Sequence, residues 1–148
     1  MPTFSKLVAG LLFAALAWWA SGVIRPDLPD TFPKGLMREG NTLLAAILGW
    51  RLTGGGVGRG YASSAGIGIS TGIAITLSAM FLWAFYIMIR RSMQLVYEGP
   101  SEALKAWIAL VVEIAAALWE NPLLLVAILL ASALVGLAAE LVRERRRG

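Results

Sequence analysis

The chain has 148 residues, 58% of them hydrophobic and 15% charged, with 13 Lys and Arg against 9 Asp and Glu for a net charge of +4. Soluble domains average about 45–50% apolar and about 25% charged residues, so this composition is that of an integral membrane protein with room for a single domain. Cysteine and histidine are both missing, which removes disulfides, thiol redox chemistry, Cys/His zinc sites, iron–sulfur clusters and histidine-based acid–base catalysis.

Charges are missing from residues 7–24, 60–89 and 121–139, and each run reaches the roughly 18 residues that suffice for a membrane span. The first span is drawn at 4–24, where Arg25-Pro26 stops it, because proline disfavours a helical residue before it. Lys6 and the small residues Ala20-Ser21-Gly22 give this segment some features of a signal peptide. Its apolar run is longer than the about 7–15 residues of a signal core, and Trp18 and Trp19 suit an interface, so a retained helix is expected.

Residues 25–40 hold three prolines and balanced charge and read as a polar loop. The uncharged stretch 41–50 would rise only ~15 Å, half of a ~30 Å hydrocarbon core. Recruiting residues before it and letting Arg51 snorkel gives a short second span at 38–53, with a re-entrant or interfacial helix as the alternative. "TGGGVGRG", residues 53–60, reads as a flexible connection. It matches no phosphate-loop pattern and has no βαβ context, so neither nucleotide nor nucleic acid is expected as a partner.

"GIGISTGIAITLS", residues 66–78, alternates small and branched residues as a strand would. A membrane strand needs several similar partners in a closed barrel, and the chain offers none. On a helix the alternation becomes two rows at spacing four. One is Gly60, Ser64, Gly68, Gly72, Thr76; the other is Ala62, Gly66, Ser70, Ala74, Ser78. Small rows let helices in lipid approach closely, so Gly60, Ser64, Gly66, Gly68, Ser70 and Gly72 are the candidate packing residues of a third span at 61–96.

"YEGPSEAL" breaks that helix and starts another, with Ser101 as candidate N-cap and Glu102 in the first turn. Residues 101–119 read as an amphipathic helix at the interface, with a fifth span burying Glu113 as the alternative. Pro122 opens the last span, 122–142, which ends in an arginine-rich tail. The expected fold is therefore all-α, with four transmembrane helices, the second one short, plus the amphipathic helix before the last. Four spans set seven Lys/Arg against six across the membrane, and five spans set ten against three. The arginine tail favours a cytoplasmic C-terminus, with the N-terminus on the same side.

The arrangement Asn41…Gly49-Trp50-Arg51…Gly54…Gly58-Arg59-Gly60-Tyr61, the opening "MPTFSKLVAGLLFAAL" and "YEGPSEAL" resemble the TrgA-like proteins, small alphaproteobacterial membrane proteins associated with tellurite resistance. The resemblance covers most of the chain and implies a membrane protein with a resistance phenotype, but no catalytic residues. Its occurrence among purple phototrophs points to a photosynthetic or respiratory core complex as host.

Two functions follow as expectations. The first is a non-catalytic subunit, not an enzyme and without cofactor or metal, that packs through its small-residue faces into a hetero-complex or homo-oligomer. Carotenoid or lipid would contact the aromatic stretch 81–86. The second is a small oxyanion transporter or channel. There Arg51 and Arg59, beside the free N–H groups of the glycine loop, would attract the anion or, more simply, a lipid headgroup.

Overall fold

The computed structural model describes residues 2–28, 30 and 32–148. It contains helices and no strand among the described residues: α1 (Pro2–Ile24), α2 (Lys34–Leu48), α3 (Tyr61–Met93), α4 (Pro100–Trp119) and α5 (Pro122–Arg147). The alternating run 66–78 lies wholly within α3. Three segments, Phe4–Asp27, Tyr61–Met93 and Pro122–Arg147, are long and apolar enough to cross a membrane.

α2 is longer than the expected segment 38–53. It starts at Lys34, with the N–H groups of Leu36 and Met37 bonded to the Pro33 carbonyl, both at 3.0 Å. It then continues through a π-helical turn, Gly49–Thr53, and a last α-helical turn, Gly54–Gly56. The reason is its fit to α1. Gly54 lies against the Lys6 backbone, Gly49 against Ala9 and Phe13, and Arg38 against Gly22, so the two helices run antiparallel along nearly all of α1. The connection expected over 53–60 shrinks to 57–60, where Val57 is buried and Gly58 and Gly60 adopt left-handed φ values of 114° and 106°.

α3 ends at Met93 rather than 96, because Leu95 turns left-handed (φ 57°) and the N–H groups of Gln94 and Leu95 fold back to the Arg91 and Ser92 carbonyls. Gly99, not Ser101, caps α4, and Pro100 occupies its first turn, where a missing N–H costs nothing. α5 runs five residues past 142 to Arg147, a length accounted for by the side chains it places against the 57–60 loop.

Among the described residues the helices meet in three core clusters. Phe13, Ala45, Ile75 and Val135 fill the middle, and Ala9, Val57 and Ala139 close the end that holds the chain termini. At the opposite end a larger cluster includes Leu28, Phe32, Met80, Leu110, Ile114 and Leu124, so α4 packs over that end. Large aliphatic side chains also point outward, among them Leu11, Leu43 and Leu130, each more than 60% exposed. In water so broad an apolar surface is an aggregation hazard; hydrocarbon is the solvent that suits it.

Candidate functional site

The two small rows on α3 have different fates. Ser64, Gly68 and Gly72 are buried against α5, which presents its own row of small residues at spacing four, Ser132 and Gly136. A Cβ on Gly68 would collide with the Ser132 carbonyl oxygen, and one on Gly136 with the Ser64 carbonyl oxygen. Backbones this close gain dispersion contact along the whole seam, which is how helices associate when lipid removes the hydrophobic drive.

The other row faces outward. Ala62, Gly66 and Ser70 are exposed, Ala74 and Ser78 are half-buried, and nothing lies within 4 Å of a Cβ built on Gly66. Ser70 turns its hydroxyl back to the Gly66 carbonyl at 3.0 Å. Six sequence-derived packing residues thus divide: Ser64, Gly68 and Gly72 on the internal seam, Gly66 and Ser70 outside, and Gly60 at the cap of α3.

Gly60 belongs to a polar site that sequence reasoning did not foresee, built around Glu140. This carboxylate is 3% exposed. It accepts the N–H of Gly58 at 2.5 Å, the N–H of Gly60 at 3.3 Å and the hydroxyl of Ser64 at 2.6 Å. The left-handed glycines turn both N–H groups towards one point, an arrangement that favours an anion. Two further side chains of α5 reach the same region: Arg143 donates to the Val57 carbonyl, and Glu144 accepts the Tyr61 hydroxyl at 2.5 Å.

This geometry bears on the two alternative sites. Two of the loop N–H groups, those of Gly58 and Gly60, are taken by the chain's own carboxylate, while Arg51 and Arg59 are exposed and their side chains have no part in the Glu140 cluster. Glu113 is exposed on α4, so the buried carboxylate is Glu140 instead. A sequence signal for it existed: Ser132, Gly136 and Glu140 continue one helical row on α5, complementary to Ser64, Gly68 and Gly72 on α3.

Two more polar links tie the helices, one buried and one half-buried. Thr53, in the π-helical turn, donates its hydroxyl to Thr71 at 2.8 Å, and Thr71 donates to the Ile67 carbonyl at 2.8 Å. Towards the other end, Asn41 donates to Ser21 at 2.9 Å and accepts the indole N–H of Trp83 at 2.7 Å, joining α1, α2 and α3. Trp83 can reach because Gly40 leaves room for its ring. No group of three or more Asp or Glu residues suited to a metal occurs among the described residues.

Comparison with family models, curated proteins and solved structures gives no match, so the reading of function rests on the geometry alone.

Proposed function

We propose that the chain is a non-catalytic membrane subunit whose α3 presents the Ala62, Gly66, Ser70 row to a transmembrane helix of a partner, either another membrane protein or a second copy of this chain. The observation that carries this is the division of the two rows: α5 fills one, and the other stays open at Gly66. A glycine and a serine set outward among Ile73 and Leu77, both close to half exposed, leave a notch that lipid tails fill less well than a close-packed helix does. The buried carboxylate supports the same reading, because Glu140 is held by three donors and serves as a structural lock rather than a reactive group.

In this reading α1, α2, α3 and α5 cross the bilayer and α4 lies along one interface. The placement of the termini favours an even number of crossings: the Arg146 guanidinium sits 4.3 Å from the Phe4 ring, so the chain begins and ends at the same face of the bundle. α3 and α5 run antiparallel, since Gly68 pairs with Ser132 and Gly136, and Ser64 with Glu140. Both ends of α4 therefore lie towards the other face, and the Trp107 ring lies 5.9 Å from those of Phe81 and Phe85 in the far half of α3. The arginines at 143 and 145–147 favour the cytoplasmic side for the shared terminal face, and the TrgA-like resemblance implies a bacterial inner membrane. An oxyanion conduit, the role implied by the TrgA-like resemblance, finds less support, because Gly58 and Gly60 already donate to Glu140.

The test is purification from native membranes in a mild detergent, followed by native mass spectrometry. The wild-type chain is expected in fixed stoichiometry with another membrane protein or with copies of itself, and Gly66→Leu is expected to release it while leaving the helical content intact. An isolated wild-type monomer, or a Gly66→Leu variant that keeps its companions, would refute the proposal.

A further inference from the structure

We infer that the α1–α2 face of the bundle binds a locally thinned bilayer: it selects phospholipids with short acyl chains, whose phosphates meet Lys6 and Arg51 at one edge. The observation behind this is the spacing of charge along two helices that lie side by side. On α2 the exposed Glu39 and Arg51 bracket an outward stripe that carries Leu43 and Ile47, each at least half exposed. Twelve residues of helix rise about 18 Å, against a hydrocarbon core of about 30 Å.

The same interval recurs on α1. Lys6 packs against Gly54 at one end of the helix pair; at the other, the Arg38 guanidinium lies 4.3 Å from the Trp18 ring and donates to the Trp18 carbonyl. Lys6 and Trp18 are again twelve residues apart, roughly 18 Å. Trp18 and Trp19 are close to half exposed at the level of that second charge, where a membrane–water interface accommodates indole rings.

Side-chain reach closes only part of the shortfall. Lys6 and Arg51 can extend along the bilayer normal and keep their charges among phosphates. Glu39 is too short to do so, and Arg38 is fastened to Trp18. Tilt accommodates a stretch that is too long and does nothing for one that is too short, so the bilayer meets this face by thinning. The other faces make no such demand. On α5 the outward residues Leu123, Leu130, Leu134 and Leu141 cover positions 123–141, about 27 Å, and on α3 no charge occurs from Tyr61 to Ile89. A second copy of the chain is a poor cover for α2. A twofold axis along the membrane normal would set Arg51 against Arg51 and Glu39 against Glu39, whereas lipid headgroups bring phosphate to the cationic edge.

The inference rests on α2 crossing the bilayer, as read above, and not on a partner at Gly66. The chain has no cysteine, so Leu43→Cys on α2 and, separately, Leu130→Cys on α5 each carry one bimane label in the full chain. Both are reconstituted with brominated dioleoyl phosphatidylcholine mixed with unbrominated lipid of one chain length, dimyristoleoyl, dioleoyl or dierucoyl. Quenching at position 43 shows that acyl chains reach α2. There the dimyristoleoyl lipid is expected to displace the quencher about twofold to fivefold better than the dioleoyl lipid, while at position 130 the two should be equal within error. Glu39→Leu combined with Arg51→Leu lengthens the apolar band and should move the preference at position 43 to the dioleoyl lipid. If that combination does not fold, the contrast between positions 43 and 130 decides alone. Quenching at position 43 without a preference for short chains, the same preference at position 130, or no shift in the double variant overturns the inference and leaves the crossing of α2 intact. Absence of quenching at position 43 also overturns it: recovery on dilution with lipid assigns the cover to a second copy, and persistent protection removes α2 from the bilayer.

Discussion

The carboxylate of Glu140 accepts the backbone N–H of Gly58 at 2.5 Å, joining positions 82 residues apart in the chain. With Gly60 and Ser64 also donating to it, one side chain of α5 fixes the connection between α2 and α3 and the first turn of α3 together. The cost of burying the charge is offset because all three donors are preset by the fold, two of them by glycines in a conformation other residues rarely adopt.

Glu140→Ala should therefore be the most damaging single polar substitution in the protein. It leaves two backbone N–H groups and a hydroxyl without their acceptor, at about 1–3 kcal/mol for each group that water cannot reach. Glu140→Gln, which keeps an acceptor oxygen but adds an unwanted donor, should lose less, and Ser64→Ala about 1 kcal/mol. Thermal unfolding in a single detergent, followed by circular dichroism, ranks the three. Equal stability of Glu140→Ala and wild type would show that the lock contributes nothing.

The two rows of α3 make opposite predictions for the same substitution. Gly68→Leu forces a side chain into the Ser132 backbone and should lower the unfolding midpoint sharply, since core overpacking costs about 1–3 kcal/mol or more. Gly66→Leu meets nothing within 4 Å and should leave the midpoint within error. A comparable loss in both variants would mean that the outward row is as constrained as the inward one.

How much of this was legible in the sequence depends on what each residue is paired with. The small rows of α3 announce close packing wherever they face, so Gly68 and Gly72 could be named in advance; which row meets α5 could not, because both have the same composition and period. Glu140 escaped because a charge at the end of an apolar run marks the limit of a span, whereas its row-mates Ser132 and Gly136 carry it inward against Ser64. The extent of α2 was hidden for a related reason. Arg38 looks like loop charge, yet its guanidinium lies 4.3 Å from the Trp18 ring and donates to the Trp18 carbonyl at 3.1 Å, so helix α2 begins well before its uncharged stretch. Glu113 shows the converse: one acid in an apolar segment invites a buried role, but its position on α4 is set by Leu110, Ile114 and Leu118, which take the inward face.

The π-helical turn has a checkable purpose. The extra residue it accommodates lets Trp50, Arg51 and Leu52 face outward while Thr53 stays fully buried with its hydroxyl on Thr71. Thr53→Val keeps the shape and removes the donor, so it should cost about 1 kcal/mol. Thr71→Val should cost somewhat more, since the hydroxyl of Thr53 then loses its only acceptor in this link. Additive losses in the double variant would mean that the two hydroxyls do not interact.

Asn41 is the corresponding link at the other end of α2, and it offers a spectroscopic readout. Its side-chain oxygen accepts the Trp83 indole N–H at 2.7 Å while its amide donates to Ser21, so Asn41→Leu strands a half-buried indole donor and a hydroxyl in one step. The expected loss is about 1–3 kcal/mol, together with a blue-shifted contribution of Trp83 to the emission as its hydrogen bond disappears. Trp83→Phe removes the donor itself and should relieve part of that penalty. Asn41→Leu in the Trp83→Phe background should then be less destabilising than Asn41→Leu alone, by the energy of the bond that no longer has to be broken. If the two losses simply add, Asn41 holds α1 to α2 through Ser21 and its contact with α3 carries no weight.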